Sequence, residues 1–443
     1  MPRSLRHPAR IVPIAFAIAV TVGTLVLLLP ISRSGPSGAP PLVALFTSTS
    51  VVCVTGLAVV DTATYWSPFG HGALLVLGQV GGFGIMALAS LLGLVVARRL
   101  GLQSQLVAQA ETHSPGLGDL RGILVRVAQW TALIEVAVAF ALAVRFWLGY
   151  DYPVGKALWY GVFHSISAFN HTGFSLFSNN LVGFVGDWWI NAPIVVGIVA
   201  GSIGFPVVYE LSRRISRPRS WSVHTRITVY GTMVLLAVGF GVMLLFEWSN
   251  PATFGPLGVP DKVVAALLQG TSPRTAGFNS VDFGAMNSET LAATDVLMFI
   301  GGGSAGTSGG IKVTTFFLLA FVIWAEVRAE RDVTIGRRRI AESTQRQALT
   351  VALLGVATVA AGTVTLLLIT EHSLEEVLFE ATSAFATVGL TTGITPTLSA
   401  AAQLVLVLLM FVGRVGTITV ASALALSERR AHYRYPEERP IVG

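Results

Sequence analysis

The chain has 443 residues, of which 53% are hydrophobic and only 12% are charged, and its formal net charge is +6. So few charges cannot cover the surface of a water-soluble protein, and the mean hydropathy of +0.70 therefore predicts a polytopic membrane protein. The single cysteine, Cys53, excludes an intrachain disulfide framework.

Eight apolar runs are long enough to cross a hydrocarbon core of about 30 Å. They lie near residues 9–30, 72–97, 122–148, 187–211, 226–247, 291–325, 347–370 and 401–426. The first run is too long for a signal-peptide core and is followed by no clear small-residue cleavage site, so we interpret it as a span. An even number of spans predicts that both termini lie on the same side of the membrane.

Basic residues are concentrated on one side of these spans. Of 29 Lys and Arg residues, 22 fall at the N-terminus, in the loops near Arg98, Arg213 and Arg337, and in the C-terminal tail. The positive-inside rule places these segments, and both termini, on the cytoplasmic side of the plasma (inner) membrane. The other side carries twelve acids and five basic residues, and this negative surface either attracts cations or is an ordinary solvated surface. Its basic residues are Arg33, Arg145, Lys156, Lys262 and Arg274.

A shorter, half-apolar segment lies between the members of each pair of spans, on the acidic side. Each segment opens with Pro or Ser, continues for roughly ten to sixteen apolar-rich residues and reaches a glycine, so it is too short to cross the membrane. The glycines are Gly56, Gly173, Gly277 and Gly389, at successive separations of 117, 104 and 112 residues. This regularity predicts four copies of one unit, which consists of a span, a re-entrant hairpin and a second span.

The predicted fold is an all-α polytopic membrane protein with four such repeats in a pseudo-fourfold arrangement around a central pore. Non-helical backbone at membrane depth is tolerated only where protein buries it or where it lines a water-filled cavity. The short helices would point their partially negative carbonyl ends inward, which favours a cation at the centre. The repeats cover residues 1–99, 100–220, 221–340 (with a broken second helix) and 341–427, and a cytoplasmic tail covers 428–443.

The residues that precede the four glycines read CVTG, NHTG, RTAG and ATVG. A dehydrated cation needs oxygen ligands in place of water, and rings of backbone carbonyls supply them. Glycine permits the positive φ that lets successive carbonyls face one axis. Rings without charged side chains suit a monovalent ion, since divalent cations usually take carboxylates as well. The predicted filter residues are Cys53, Val54, Thr55, Gly56, Asn170, His171, Thr172, Gly173, Arg274, Thr275, Ala276, Gly277, Ala386, Thr387, Val388 and Gly389.

A polar run, IGGGSAGTSGGIK, interrupts the sixth apolar stretch at residues 300–312. Ten of its thirteen residues are Gly, Ser, Thr or Ala, a composition that favours an irregular loop over a helix. We predict that this loop crosses and blocks the pore below the filter; the alternative is a close helix contact through small residues. A nucleotide phosphate loop is rejected because Ile311 separates Gly310 from Lys312. The predicted gate residues are Gly301, Gly302, Gly303, Ser304, Ala305, Gly306, Thr307, Ser308, Gly309, Gly310, Lys312 and Arg414.

Three charged residues lie within apolar stretches. A buried charge is costly, so Arg414 marks function: it would repel cations in the cavity, or pair with an acid or with loop carbonyls and hold the gate shut, and we favour both together. Lys312 either anchors the gate or snorkels to the cytoplasmic interface. Glu135 has no partner that the sequence identifies and is interpreted as a helix-packing acid. The glycines of GQVGGFG at 78–84 are interpreted as a tight helix contact rather than a dinucleotide motif.

Several of these motifs resemble one known family, the Trk/Ktr/HKT superfamily of potassium transporters. CVTGL, ISAFNHTGF, RTAGFN and FATVGLTTG resemble its four selectivity loops. GGGSAGTSGGIKVTTF resembles the loop that breaks its sixth core helix, and GRVGTIT at 413–419 resembles a motif of its eighth. The resemblance extends from about Ile11 to Leu426, and the lack of extra leading spans makes the chain more similar to Ktr-type membrane subunits than to longer Trk-type ones.

The resemblance implies channel-like potassium uptake, because a glycine in all four loops accompanies potassium selectivity in this family, whereas a serine in the first accompanies sodium in some plant members. Cys53 and His171 depart from the commoner Thr and Asn. The resemblance further implies a mobile intramembrane gate, a homodimer of pore subunits and a cytosolic ring of nucleotide-binding subunits that respond to ATP and ADP. Potassium is the expected ion and sodium a candidate activator. No organic cofactor and no nucleic-acid partner are expected.

Two other functional classes compete with a pore. An alternating-access monovalent cation symporter would predict inverted repeats and discontinuous helices at a midplane site, whereas all four glycines fall on one side. An intramembrane enzyme would need paired catalytic groups, which His164 and His171 lack, so no enzymatic activity is expected. The basic cytoplasmic face offers a docking surface for an acidic partner or for anionic membrane lipids. Its arginines include Arg213, Arg214, Arg217, Arg219, Arg328, Arg331, Arg337, Arg338 and Arg339.

Overall fold

A computed structural model describes residues 8–99 and 120–426, which form a predominantly helical protein. Its main helices are α1 (Pro8–Leu27), α2 (Pro41–Val52), α3 (Pro68–Arg99), α4 (Leu120–Tyr150), α5 (Val154–Asn170), α6 (Trp188–Ile203), α7 (Phe205–Arg214), α8 (Val223–Glu247), α9 (Val259–Thr271), α10 (Ser288–Phe299), α11 (Val313–Val327), α12 (Glu342–Ile369), α13 (Leu374–Ala386) and α14 (Ala400–Leu426). A two-residue β-hairpin, β1 (Thr334–Ile335) and β2 (Arg338–Arg339), lies between α11 and α12. The predicted cytoplasmic tail and the basic loop after Arg99 lie outside the described residues.

The predicted apolar runs coincide with the long helices or with pairs of them. Within the described ranges, α4 over Leu124–Tyr150, α8 and α12 are each long and apolar enough to cross a membrane. The pair α6–α7 qualifies as a fourth candidate span, although it is bent by 99°. The chain is therefore membrane-spanning, and the count of eight spans stays a prediction.

The bend between α6 and α7 corrects the prediction of one continuous span over residues 187–211. Gly204 forms the bend with a φ of +87°, a value that side-chain-bearing residues rarely adopt. A Cβ at this position would also stand less than 3.0 Å from the carbonyl oxygen of Ser304. Pro206 lies in the first turn of α7, where its missing N–H costs nothing, so the sequence GFP starts a new helix in a new direction.

The four predicted hairpin helices are present as α2, α5, α9 and α13, with 12, 17, 13 and 13 residues. At about 1.5 Å per residue they span about 18–26 Å, less than the hydrocarbon core. They begin where the Pro and Ser residues predict. Pro41 is the first residue of α2, and Ser373 forms a capping box with Glu376 at the start of α13. The backbone N–H of Ser373 donates to the Glu376 carboxylate and holds its pKa below the usual value.

Hydrophobic clusters connect these hairpin helices in a cycle. One cluster joins α2 to α5, a second joins α5 to α9, a third joins α9 to α13, and the largest joins α13 to α2 together with α1 and α14. Each hairpin helix therefore packs between two others, and the segments that follow their C-terminal ends are drawn towards one another.

The polar run at residues 300–312 is irregular, as predicted, and separates α10 from α11. Its two ends are tied together by a parallel bridge between Ile300 and Ile311. The N–H of Gly301 donates to the carbonyl of Ile311 at 2.8 Å, and the N–H of Val313 donates to the carbonyl of Gly302 at 3.0 Å. The run is thus a closed loop and not a helix contact through small residues. It is called the polar loop below.

Glycines elsewhere allow helices to approach closely. In the GQVGGFG stretch, a Cβ on Gly78 would lie 2.7 Å from the Thr172 side chain, and one on Gly81 would lie less than 3.0 Å from the Val52 carbonyl. The interpretation of this stretch as a packing motif is confirmed. Gly239 of α8 meets Gly270 of α9 in the same way, because a Cβ on either residue would lie less than 3.0 Å from the other's backbone.

The contact between α8 and α9 predicts a stability difference between two glycines of one helix. Gly239→Ala forces the two backbones apart, at a cost of about 1–3 kcal/mol. Gly241→Ala is the matched control, since a Cβ there meets nothing within 4 Å and alanine favours the helix by up to about 1 kcal/mol. Thermal unfolding of the purified protein in detergent should show a lower Tm for the first variant only. Equal Tm values would contradict the assigned contact.

Candidate functional site

The four segments that end in the predicted filter glycines share one unusual backbone conformation. We call residues 53–56, 170–173, 274–277 and 386–389 the glycine loops. The residue two places before each glycine has a positive φ, namely Val54 (59°), His171 (63°), Thr275 (69°) and Thr387 (52°). The glycines also have positive φ values, 101°, 68°, 73° and 88° in chain order. A β-branched residue with positive φ is strained, and the recurrence of that strain at equivalent positions indicates a functional backbone.

The glycine loops meet one another in chain order and close a ring. A Cβ built on each glycine would face the carbonyl oxygen of the residue that precedes the next loop's glycine. The separations are 2.8 Å from Gly56 to Thr172, 3.1 Å from Gly173 to Ala276, 2.8 Å from Gly277 to Val388, and less than 3.0 Å from Gly389 to Thr55. Any side chain at these positions would therefore press on the neighbouring loop's backbone.

The carbonyl oxygens on this ring lack hydrogen-bond donors. Within the part of the chain that the structure describes, no N–H or O–H group donates to the carbonyls of Thr55, Thr172, Ala276 or Val388. The described part of the chain also contains no cluster of three or more His, Cys, Asp or Glu side chains that could hold a metal ion. Buried carbonyls are nearly always paired, so a ring of unpaired oxygens is suited to a ligand that brings positive charge.

A cavity of about 340 Å³ opens above the ring, with all four glycines among its lining residues. Asp61 and Asp282 line its walls. Asp61 accepts a hydrogen bond from the Ser178 hydroxyl at 2.6 Å, and Asp282 accepts one from the Gly284 N–H at 2.9 Å. Two carboxylates at the entrance make the local potential negative and raise the local concentration of cations.

Hydroxyl groups hold the glycine loops from behind, a feature that the sequence analysis missed. The hydroxyl oxygen of Ser50 accepts a hydrogen bond from the Gly56 N–H, and that of Ser383 accepts one from the Gly389 N–H, both at 3.1 Å. In the second loop the Ser167 hydroxyl donates to the Phe174 carbonyl at 2.8 Å. Alignment of the four loops would have revealed the signal, because Ser or Thr stands six residues before every glycine. The list is Ser50, Ser167, Thr271 and Ser383.

The side chains of the second glycine loop point away from the ring and brace it. The Asn170 amide donates to Gln79 at 2.7 Å and to the Glu135 carboxylate at 2.9 Å. Glu135 thus has a partner that the sequence analysis did not identify, and it supports this loop directly. His171 contacts the carbonyls of Thr275 and Ile198 through its two ring nitrogens, at 2.9 and 2.8 Å, which ties the second loop to the third.

The polar loop extends from the bend in the second repeat to the base of the fourth glycine loop. The N–H groups of Gly303 and Thr307 donate to the carbonyls of Ser202 and Gly201, at 2.8 and 3.1 Å, in the last turn of α6. At its other end, a Cβ on Gly309 would lie 2.5 Å from the Ala386 carbonyl. The bend at Gly204 therefore makes room for the polar loop, which lies against the glycine loops.

Two predicted gate cations bond to carbonyls of the polar loop. Arg414 is only 2% exposed, and its Nη1 donates to the Thr307 carbonyl at 2.5 Å. The carbonyl alternative predicted for Arg414 is therefore observed, and no acid among the described residues pairs with it. The Lys312 ammonium donates to the Ser308 carbonyl at 2.6 Å, so Lys312 anchors the polar loop instead of extending to the interface.

Arg274 requires a correction. The sequence predicts it among the basic residues of the outer surface, but in the structure it is buried, with 2% exposure. Its Nη2 donates to the carbonyl of Gly301 at 3.2 Å. The backbone of this residue belongs to the third glycine loop while its side chain extends to the polar loop, so the surface that is predicted to face outward has one positive charge fewer.

Comparisons with known proteins agree with these features. A family model described as TrkH, cation transport protein, matches residues 2–432. The Ktr system potassium uptake protein B of Bacillus subtilis is 36% identical over 98% of this chain and 97% of its own length, and that of Vibrio alginolyticus is 34% identical over 98% and 94%. The potassium/sodium uptake protein NtpJ of Enterococcus hirae is 31% identical over 100% of this chain and 98% of its own.

One solved structure is similar in fold. The crystal structure of the potassium transporter TrkH from Vibrio parahaemolyticus superimposes with a TM-score of 0.71 at 20% sequence identity. The match covers 93% of this chain and 83% of the other. The two proteins thus share an architecture at a level of identity too low to support more than the fold.

The hydroxyl behind the first glycine loop predicts a selective loss of function. Ser50→Ala leaves the Gly56 N–H unpaired, and a cost of about 1 kcal/mol should relax the loop and lower the preference for potassium over sodium by about fivefold. Thr47→Val is the matched control, because Thr47 lies on the same helix, is equally buried and has no hydrogen-bond partner for its hydroxyl. Competitive cation flux into liposomes measures the ratio. Equal ratios for the two variants would contradict the assigned support.

Proposed function

The chain belongs to the TrkH family of cation transport proteins, and from that membership and the geometry of the site we propose that it forms a potassium-selective uptake pore. The family consists of ion transporters and not enzymes. One observation carries the proposal: four glycine loops close a ring on which four carbonyl oxygens accept no hydrogen bond from any described residue. The names of the relatives support potassium as the ion, and the name of NtpJ adds sodium as a candidate.

In this proposal a potassium ion is first concentrated in the outer cavity by Asp61 and Asp282. It then exchanges water for the ring carbonyls, assisted by the C-terminal ends of the four hairpin helices, whose dipoles are negative there. The inside-negative membrane potential drives the ion inward with about 2.3 kcal/mol per charge per 100 mV. The pseudo-fourfold pore is supported by the cycle of hydrophobic clusters that joins the hairpin helices.

The polar loop is the proposed gate. It lies against the glycine loops and carries the carbonyl to which Arg414 bonds. For the path to open, the loop must move, and that hydrogen bond must break or move with it. The buried guanidinium adds positive charge below the ring, which opposes the passage of a cation while the loop is in place.

An alternating-access cation symporter is the second candidate. The discontinuous helices α6–α7 and α10–α11 favour it, because such breaks form the binding sites of many secondary transporters. The two functions differ in coupling. A pore conducts potassium alone down its electrochemical gradient, whereas a symporter moves potassium only with a coupled ion in fixed proportion.

The pore is proposed to work as a homodimer with a cytosolic nucleotide-binding ring that responds to ATP and ADP. The word "system" in the names of the Ktr relatives implies a second subunit, and this supports a regulator. Arg213, Arg214 and Arg217 line a basic cavity of about 870 Å³ after α7, where an acidic partner or anionic lipid would bind. This cavity follows the α6–α7 bend that holds the polar loop, so binding there would act on the gate.

The proposal is tested by growth of a potassium-uptake-deficient bacterium on low potassium. The intact chain should restore growth, with potassium flux that sodium does not replace. Gly56→Ser should lower the potassium-to-sodium flux ratio by about tenfold or more, because the glycine has a φ of +101° and its Cβ position lies 2.8 Å from the Thr172 carbonyl. Rescue by both chains at equal selectivity would remove the filter assignment. Strict dependence of flux on a co-transported ion would support the symporter instead.

Arg414→Ala separates the gate from the filter. Loss of the guanidinium removes a charge-assisted hydrogen bond of about 1.5–3 kcal/mol from the closed loop, so potassium flux without any regulator should rise by about tenfold. The ratio of potassium to sodium flux should stay unchanged, because Arg414 bonds to the polar loop and not to the ring. Flux assays in liposomes with purified protein measure both quantities. Unchanged flux, or a changed ratio alone, would argue against the gate assignment.

A further inference from the structure

The position three residues before each filter glycine differs among the four loops. It is occupied by Cys53, Asn170, Arg274 and Ala386. Only the third repeat places a cation there, and the third repeat is also the one whose second apolar run is interrupted by the polar loop. The Arg274 guanidinium lies inside the protein with 2% exposure, and no carboxylate among the described residues pairs with it.

The Arg274 guanidinium donates a hydrogen bond to the polar loop, from Nη2 to the Gly301 carbonyl at 3.2 Å. Gly301 is the second residue after α10, where the loop is tied to its other end through the carbonyl of Ile311. Arg414 bonds to Thr307, six residues further along the same loop. Two buried arginines from different repeats therefore hold the base and the middle of one loop.

We propose that Arg274 is a second latch on the gate, which couples the third glycine loop to the position of the polar loop. This inference rests on the proposed function of the polar loop. When the loop moves, the hydrogen bond to Gly301 breaks and the guanidinium is released beside Thr275, whose carbonyl is held by His171. His171 Nδ1 also lies 3.4 Å from the Ser308 hydroxyl of the polar loop, so the second glycine loop, which His171 ties to the third, contacts the gate as well.

A latch differs from a purely structural support of the filter in what its removal changes. Loss of a latch loosens the polar loop and leaves the ring carbonyls in place, so flux and loop accessibility rise at constant ion preference. Loss of a support distorts the ring, so ion preference changes while the polar loop stays closed. The Nη1 atom of Arg274 has no partner among the described residues, which leaves the Gly301 bond as the contact to remove.

The test compares Arg274→Met with Lys262→Met in the intact protein. Lys262 is the matched control, because it lies in the same repeat, is 8% exposed and donates to a backbone carbonyl, that of Trp248, at 2.7 Å, away from the polar loop. Each variant also carries Ser304→Cys, a nearly isosteric change at a half-buried position of the polar loop. Cys53 is fully buried, so protein without Ser304→Cys serves as the blank.

The measured quantity is the rate at which a water-soluble maleimide modifies the introduced thiol, with regulator-free potassium flux as the second readout. Arg274→Met should raise both by about tenfold at an unchanged potassium-to-sodium ratio, whereas Lys262→Met should change neither. Arg274→Lys, which keeps the charge and a donor, should restore most of the slow modification and low flux that Arg274→Met loses, whereas no difference between the two variants would count against a latch.

A double variant provides a further check. Because Arg274 and Arg414 hold one loop, Arg274→Met combined with Arg414→Ala should raise the modification rate by less than the product of the separate effects. An unchanged rate in Arg274→Met, or an altered ion ratio without a faster rate, would overturn the latch. The rate of thiol modification can be measured in a protein that does not transport. If the unaltered protein fails to conduct potassium, the proposed function is wrong, but the modification rates still show whether Arg274 restrains the polar loop.

Discussion

The structure depends on the cost of burying backbone carbonyls that receive no hydrogen-bond donor from the described residues. The backbone of a helix pairs its own carbonyls, whereas the ring carbonyls of the four glycine loops receive no donor from residues 8–99 or 120–426. Such an arrangement is stable only if contacts from the surrounding protein hold the loops in this conformation. The buried hydroxyls behind the loops, the Asn170–Glu135 contact and the His171 bridge supply that support from outside the ring. In the proposed function, the ring carbonyls would then replace the hydration shell of an ion.

The same requirement explains the polar loop. A thirteen-residue break in an apolar run frees many backbone groups, and the structure pairs them with the freed carbonyls of a second break, the bend after α6. Arg274 and Arg414 satisfy two more of the loop's carbonyls. Buried positive charges would be costly in hydrocarbon, but here each guanidinium donates to a backbone carbonyl of the polar loop. The polar loop and the third glycine loop are therefore directly connected, through the hydrogen bond from Arg274 to Gly301.

Sequence patterns predicted the features that depend on local chemistry. Helix starts at Pro41 and Ser373, the short hairpin helices and the irregular run at 300–312 all follow from capping, length and glycine content. The direction of a side chain that crosses between repeats was not predictable in that way. Arg274 lies in a segment that is predicted to face outward, but its side chain bonds to Gly301 of the polar loop. Glu135 bonds to Asn170, which is 35 positions away in the chain. The sequence GFP indicates a break at Gly204, but the partners of the carbonyls before that break, the N–H groups of the polar loop, are visible only in the structure.

The central claim is that the ring carbonyls bind a monovalent cation, and anomalous scattering from crystals grown in rubidium tests it most directly. The account predicts a strong peak on the axis of the ring, at ligand distance from the carbonyls of Thr55, Thr172, Ala276 and Val388. The peak should weaken when potassium replaces rubidium during growth. Rubidium bound elsewhere, with no peak inside the ring, would contradict it.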